Sequence, residues 1–234
     1  MRRGNSPYSA AITGGGFLFE ETDALLPLLK SPDREALVKD ELVNNRILHI
    51  NAEKSRSKAI LEIKRRFDVM PPAFWEDYQA MNEDDRRIAL LFVILKTYKI
   101  LFDFQINVAI KKWNSVSRTI DLQDLAMEMN EIAAKDEFVD SWSERTKTKV
   151  ASAYLSMLRK CGMMDREGNL VQLKPSNADI YIRIGEPWFL EACFLAPYQI
   201  DKVRQLAASQ QTSNQDLGLR STCSIGENIK KQMS

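Results

Sequence analysis

Apolar residues recur every three or four positions along most of the chain, which is the period of an amphipathic helix. Between residues 17 and 184 the only glycines are Gly162 and Gly168, and residues 73–174 contain no proline. Because glycine and proline are the main helix breakers, their scarcity favours a mainly α-helical protein. The pattern predicts helices at residues 17–30, 32–43, 54–68, 72–81, 83–113, 121–133, 143–161, 186–195 and 198–208. The fifth is expected to bend near Phe102.

Strand patterns occur only late in the chain. The sequence GMMDREGNLVQLK, residues 162–174, has apolar positions on both sides of a turn at Gly168-Asn169. The sequence DIYIRI, residues 179–184, alternates polar and apolar positions. We therefore expect a β-hairpin and one further short strand. The last segment, from about residue 208 to 234, is rich in polar residues and is expected to be loosely ordered.

These elements follow the order of a winged helix-turn-helix. A β-prone pair, Thr119-Ile120, precedes a helix, a connecting segment, the long helix at 143–161 and the hairpin. The fold class that we predict is mainly α, multi-helical, with a winged helix-turn-helix subdomain that carries a small β-hairpin. The predicted domains are an amino-terminal helical domain at 1–118, the winged helix-turn-helix at 119–185, and carboxyl-terminal helices with a flexible polar tail at 186–234.

The long helix has two chemically different faces. One face is apolar, and the opposite face carries only basic and hydroxyl side chains without a carboxylate. These are Arg145, Thr148, Lys149, Ser152, Ser156, Arg159 and Lys160. Such a face suits the major groove of DNA, where Arg and Lys contact phosphates and guanine edges. A cap at Ser141 or Ser143 would place the positive helix end near Arg145, Thr146 and Lys147, and Arg166 at the hairpin tip could contact a phosphate.

The net charge of +1 conceals a second basic segment at residues 54–68. Its candidate DNA contacts are Lys54, Arg56, Lys58, Lys64 and Arg65. A solvated helix face is the favoured interpretation of this segment, and an extension of the DNA-binding surface is the alternative. The face at 145–160 also has two other interpretations, which are a protein-binding surface and a solvated surface.

The residue inventory argues against catalysis. His49 is the only histidine, and its apolar neighbours predict a satisfied, partly buried side chain. The three cysteines are scattered, so we expect no metal site and no cofactor. Asp33 and the Glu62-Ile63-Lys64 triplet resemble a nuclease motif, but both lie in predicted helices. We therefore predict that the protein is not an enzyme and has no small-molecule substrate.

The compositional signals indicate a cytoplasmic location. No signal peptide follows Met1, and the most apolar stretch, residues 88–104, is interrupted by Lys96, Lys99 and Asp103. We therefore expect no contact with a membrane.

The run Gly14-Gly15-Gly16 could belong to a phosphate loop or could allow close packing. It lacks the lysine of a phosphate loop, and Glu20 and Glu21 follow where an anion would be repelled. We therefore expect the run to let the backbone pass close to a neighbouring helix.

A family resemblance is carried by three segments. They are YSAAITGGGFLFEET at residues 8–22, the helical region at 83–113, and SAYLSMLRKCGMM at 152–164. With these segments the chain resembles the BrxA family of the BREX (bacteriophage exclusion) phage-defence systems, over residues 8–205. The resemblance implies a non-enzymatic accessory protein that binds double-stranded DNA. It also implies a gene beside those for a methyltransferase, an ATPase and other defence components.

The sequence thus predicts an accessory protein of a BREX-type system that binds double-stranded DNA mainly through phosphate contacts. Its expected partners are double-stranded DNA and other BREX components. Two alternatives stay open. The first is a scaffold subunit that uses the same basic face for an acidic protein, and the second is an RNA-binding helical protein.

Overall fold

The computed structural model describes residues 4–209, and these are mainly α-helical, as predicted. A 3-10 turn at Ala11–Gly14 comes first. The helices that follow are α1 (Phe19–Lys30), α2 (Arg34–Asn44), α3 (Glu53–Phe67), α4 (Pro72–Ala80), α5 (Glu83–Thr97), α6 (Lys99–Asp103), α7 (Ile110–Trp113), α8 (Leu122–Ala133), α9 (Glu137–Asp140), α10 (Glu144–Lys160), α11 (Asp179–Arg183), α12 (Trp188–Ala192) and α13 (residues 197–209). The predicted polar tail from residue 210 onward lies outside the described residues.

Helix α5 is surrounded by other parts of the protein. Every residue from Ile88 to Leu95 is buried, which explains why this part of the helix is apolar on all sides. Among residues 4–209, no helix is both long enough and apolar enough to cross a membrane.

The predicted helix at 83–113 is interrupted rather than gently bent. Tyr98 has an extended backbone, with φ −122° and ψ 99°, and separates α5 from α6. A π-helical segment at Phe104–Ala109 then precedes α7. The break therefore comes four residues before the predicted bend at Phe102, and the wider helical turn follows it.

The predicted hairpin at 162–174 is reduced to a turn with single β-bridges. Met164 bridges Leu170, and Thr119 bridges Asn169, both in antiparallel fashion. Within residues 4–209, no longer strand is present.

The predicted strand at residues 179–184 is wrong, because α11 occupies this segment. Ile180 and Ile184 are four residues apart, so the same apolar positions also fit one helical turn. An ion pair of 3.1 Å between Arg183 Nε and Asp179 Oδ2 spans this turn. In so short a segment, the spacing of apolar residues does not distinguish the period of a helix from that of a strand.

The described residues divide into two compact units, and the division falls after residue 175. Residues 119–175 thus belong to the same compact unit as the amino-terminal helices. One contact that joins these two parts of the unit is the packing of α8 against the π-helical segment. The domain boundaries predicted at 118 and 185 do not coincide with the division at residue 175.

The glycine run at residues 14–16 packs against α3, as predicted. The buried Arg66 guanidinium donates hydrogen bonds to the backbone oxygens of Gly16, at 2.6 Å, and Phe17, at 2.8 Å. A Cβ atom on Gly15 would lie 2.9 Å from Leu18 Cδ1. Gly16 has a φ of +67°, in the left-handed region that favours glycine. These contacts hold the chain close to α3.

Candidate nucleic-acid interface

Helix α10 begins and ends where its sequence predicts. The Ser143 hydroxyl accepts a hydrogen bond of 3.2 Å from the backbone amide of Thr146, and so caps the first turn. Gly162 follows the last turn with a φ of +80°. On the inner face, Val150 and Leu158 are fully buried.

Tyr154 anchors the inner face of α10. Its hydroxyl donates a hydrogen bond of 2.6 Å to Gln105 Oε1 in the π-helical segment. Gln105 Nε2 lies 3.4 Å from the sulfur of Met163, just after α10. Burial raises the pKa of the Tyr154 hydroxyl well above its usual range. The bonded groups hold α10 in one orientation, because each would be costly to leave unpaired in the core.

Gln105 is a residue that the sequence reasoning missed. It is fully buried, although a glutamine side chain usually lies at the surface. The sequence carried a sign of this, since Gln105 follows the apolar residues Ile100, Leu101, Phe102 and Phe104, which only Asp103 interrupts. A polar amide in such a run needs a buried partner.

The outer face of α10 is exposed and carries the predicted basic and hydroxyl residues. The exposed members are Arg145, Thr148, Lys149, Ser152, Ser156, Arg159 and Lys160. Within residues 4–209, Arg145, Lys149 and Arg159 form no ion pair. Their charges are thus available to an anionic partner.

The other two candidates in the first turn of α10 serve the helix itself. Thr146 is half-buried, and its hydroxyl lies 2.9 Å from the hydroxyl of Ser143. Lys147 is also half-buried, and its amino group lies 3.1 Å from the Glu144 carboxylate. Lys147 therefore contributes less free positive charge than the sequence predicts, and the Thr146 hydroxyl is engaged with the helix cap.

A groove joins α10 to the turn at residues 165–168. It has a volume of about 490 Å³ and is lined by Ser152 and Arg159 from α10 and by Arg166 from the turn. Arg166 is exposed and, within the described part of the chain, forms no ion pair. The fold thus brings Arg159 and Arg166 to one groove. Asp121 and Glu167 also line it, so its field is not uniformly positive.

Asp165 holds the turn that carries Arg166. Its carboxylate accepts hydrogen bonds from the Asn169 backbone amide, at 2.8 Å, and from the Asn169 side chain, at 2.7 Å. The side-chain bond is the largest cause of the lowered pKa of the Asp165 carboxyl. Gly168 completes the turn with a φ of +92°.

The second basic segment supplies fewer contacts than predicted. Arg56 is buried, and its guanidinium donates to the backbone oxygens of Leu42, at 2.8 Å, and Ile50, at 2.6 Å. Arg56 is therefore not available to DNA, and we withdraw it from the candidate contacts. A buried guanidinium satisfies backbone carbonyls, which sequence composition does not reveal.

Carboxylates neutralise two more residues of this segment. Lys64 Nζ lies 2.6 Å from Glu35 Oε1, and Arg65 Nη1 lies 2.7 Å from Glu62 Oε1. Lys54 and Lys58 are exposed. Within residues 4–209, neither of these two lysines forms an ion pair.

The residues considered for catalysis lie in other environments. His49 is exposed, with a φ of +51°, so the predicted partly buried histidine is wrong. In the preceding residues of this loop, the backbone amides of residues 46–48 donate hydrogen bonds to the buried Glu41 carboxylate. Glu62 lies on α3 and accepts hydrogen bonds from Arg65 and Tyr98.

Metal binding has no candidate cluster in the described part of the chain. There, no group of three or more His, Cys, Asp or Glu side chains could hold a metal ion. Cys161 is buried, and burial raises the pKa of its thiol to about 12.

Three comparisons relate the chain to known proteins. The sequence model of the BrxA family matches residues 6–178. A protein of Bacillus cereus (strain H3081.97) described as "BREX protein BrxA" is 21% identical over 163 residues, which are 69% of this chain and 82% of the relative. The crystal structure of an uncharacterized protein from Magnetospirillum magneticum has a similar fold. Its TM-score is 0.66 at 18% identity, over 80% of this chain and 97% of that one. Because the family match extends over well over half of its residues, this chain belongs to the BrxA family.

Proposed function

We propose that this protein is a non-enzymatic accessory protein that binds double-stranded DNA through the outer face of α10. The observation that supports this most strongly is the exposed row of bases and hydroxyl groups on that face. Arg145, Lys149 and Arg159 have no carboxylate partner among residues 4–209. A cationic surface of this kind releases counterions when it binds DNA phosphates, which provides a favourable free energy.

We further propose that residues 119–171 form a winged helix-turn-helix with a short wing. The succession of α8, α9 and α10 supports this, because two helices joined by a tight turn precede the bridged turn. The bridges at Thr119, Met164 and residues 169–170 bring three chain segments side by side, as in a wing. In this arrangement α10 is the recognition helix, and Arg166 contacts the backbone beside it.

The chemistry of the face favours phosphate contacts over the reading of bases. The exposed side of α10 has no Asn or Gln, the residues that bind adenine with two hydrogen bonds. Lys149 and the small hydroxyl groups of Ser152 and Ser156 suit close contact with the backbone. The binding should therefore depend steeply on salt and weakly on sequence.

The cellular role that we propose follows from the Bacillus cereus relative, which is described as a BREX protein. We propose that this chain also acts in a BREX phage-defence system, with other BREX components as partners. Its action on DNA would take place in the cytoplasm, where phage DNA is present during infection.

A fluorescence anisotropy titration with labelled duplex DNA at several salt concentrations tests the function. The unmodified protein should bind at low salt. The variant Arg145→Ala/Lys149→Ala/Arg159→Ala should bind at least about a hundredfold more weakly, and the slope of log K against log salt should fall by about 2.7. Absence of binding by the unmodified protein at low salt would refute the proposal.

A matched control distinguishes the loss of contacts on the outer face of α10 from the effect of a lower net charge on DNA affinity. The variant Lys39→Ala/Lys111→Ala/Lys202→Ala removes the same charge from exposed positions on other helices. It should change the affinity by less than about threefold, because contacts at the interface carry most of the electrostatic free energy. Equal losses in both variants would mean that α10 is not the binding face. Competition with single-stranded RNA distinguishes the RNA-binding alternative.

A further inference from the structure

One row of α3 side chains runs along the glycine run at residues 14–16. The row consists of Lys54, Lys58, Glu62 and Arg66, at intervals of four residues. The Cδ atom of Lys58 lies 3.7 Å from the position of a Cβ atom on Gly14, and Glu62 Cγ lies 3.3 Å from that on Gly15. Arg66 binds the carbonyl groups that come next. The glycine run therefore covers Glu62 and Arg66, the carboxyl half of the row, and extends in the other direction only as far as Lys58.

The amino half of this row projects beyond the glycine run with its charge available. Lys54 and Lys58 are exposed, and within residues 4–209 neither forms an ion pair. One helical turn later, α3 is different, because Glu35 neutralises Lys64 and Glu62 neutralises Arg65. The free positive charge of α3 is thus confined to the end that meets the 3-10 turn.

The 3-10 turn at Ala11–Gly14 connects this end of α3 to the basic helix α10, since both helices pack against it. The carboxyl end of α10 also lies near the start of α1. There the pKa of the Glu20 carboxyl is lowered, chiefly by a hydrogen bond to the backbone and to a smaller extent by Arg87 and Lys160. The two basic helices therefore flank one short turn.

Gly14, at the end of the 3-10 turn between α3 and α10, leaves the surface of the turn open. The fold does not require a glycine at this position. Its backbone is outside the left-handed region, and a Cβ atom there would make only an ordinary contact with Lys58. Gly14 is exposed and has no side chain that would rise between the two helices. A DNA strand that leaves α10 could thus pass over the turn towards Lys54 and Lys58.

We propose that the DNA-binding surface continues from α10 across the 3-10 turn to Lys54 and Lys58, so that one duplex contacts both helices. This proposal rests on the function proposed above. The ligand of the added surface is the phosphodiester backbone, because a lysine acts as a point charge on a flexible stem and suits phosphates. The added contacts increase affinity without adding sequence preference.

The test measures duplex binding by the variant Lys54→Ala/Lys58→Ala over a range of salt concentrations. Its affinity at low salt should fall by about tenfold, and the slope of log K against log salt should fall by about 1.8, as expected for two lost phosphate contacts. The matched control is Lys39→Ala/Lys64→Ala, which also removes two positive charges. It should keep the slope of the unmodified protein, because Lys64 is already paired with Glu35. Thermal unfolding of each variant checks that the fold is retained.

The outcomes separate this proposal from the one on which it rests. An unchanged slope in Lys54→Ala/Lys58→Ala, together with loss of binding in the triple variant of α10, overturns only the extension to α3. Equal losses in the test and control variants also overturn it, because net charge would then explain the effect. Failure of the unmodified protein to bind DNA overturns both proposals.

Discussion

Helices α3 and α10 are both rich in Lys and Arg, but they use these residues differently. In α3, Arg56 and Arg66 are buried and bind backbone carbonyl groups, whereas Lys64 and Arg65 pair with carboxylates. In α10, the bases lie on the outer face, and a hydrogen bond from Tyr154 fixes the inner face. The comparison teaches that a basic helix can stabilise a fold or offer charge to a ligand, depending on what surrounds it.

The largest expected effect is on stability, from the loss of a buried arginine of α3. Arg66→Met should lower the free energy of unfolding by about 3 kcal/mol, because the carbonyl groups of Gly16 and Phe17 lose charged donors in a buried site. Arg159→Met, the matched change on the exposed face of α10, should alter it by less than about 0.5 kcal/mol. Urea unfolding measures both values. Similar losses in the two variants would remove the distinction between the helices.

A smaller effect is expected where α10 is anchored. Tyr154→Phe keeps the ring and removes the hydroxyl, so that Gln105 Oε1 loses its donor. The free energy of unfolding should fall by about 1–2 kcal/mol, the cost of an unpaired buried polar group. The salt slope of DNA binding should not change, because no cation is removed. A lower slope would mean that the orientation of α10 decides how many phosphates it contacts.

The smallest effects concern the glycine run beside α3. Gly16→Ala should lower the free energy of unfolding by about 1–2 kcal/mol, since alanine is strained at a φ of +67°. Gly14→Ala should change it by less than about 0.5 kcal/mol, because its backbone and surroundings accept a Cβ atom. Thermal or urea unfolding of the pair measures the difference. If Gly14→Ala were the more damaging change, Gly14 would be needed for folding and not only for space at the surface.

Measurements of DNA binding extend the comparison between α3 and α10, because each helix carries a proposed interface. The triple variant of α10 should have the larger effect on affinity, and the Lys54→Ala/Lys58→Ala variant the smaller one. An effect in the opposite order would make α3 the principal contact. The exposed counterpart of Arg66 in the stability comparison would then be Lys54 or Lys58 instead of Arg159.

Much of the fold could be predicted because long helices carry strong periodic signals. The bounds predicted for α3 and α10, 54–68 and 143–161, lie within one residue of those observed. Residues 179–184 were assigned wrongly because one short turn does not distinguish a helix from a strand. The break at Tyr98 was also misplaced, since the apolar pattern continues across it without a glycine or proline.

The candidate site was predicted more unevenly than the helices. The face of α10 could be identified from its spacing alone, because its basic and hydroxyl positions include no acidic residue. The role of Arg56 could not be identified, because its partners are the backbone oxygens of Leu42 and Ile50 in another part of the chain. Gln105 was missed for a similar reason, since its partner lies on α10, 49 residues away.

The sequence alone determined the helical class, the two faces of α10 and the family resemblance, because these depend on residues that are close together along the chain. The tertiary structure decided which cations are buried, which are paired and which are free. It also packed the 3-10 turn against both α3 and α10, with Lys58 beside Gly14. The physical reason is that the availability of a charge depends on its neighbours in space, and many of these are distant in sequence.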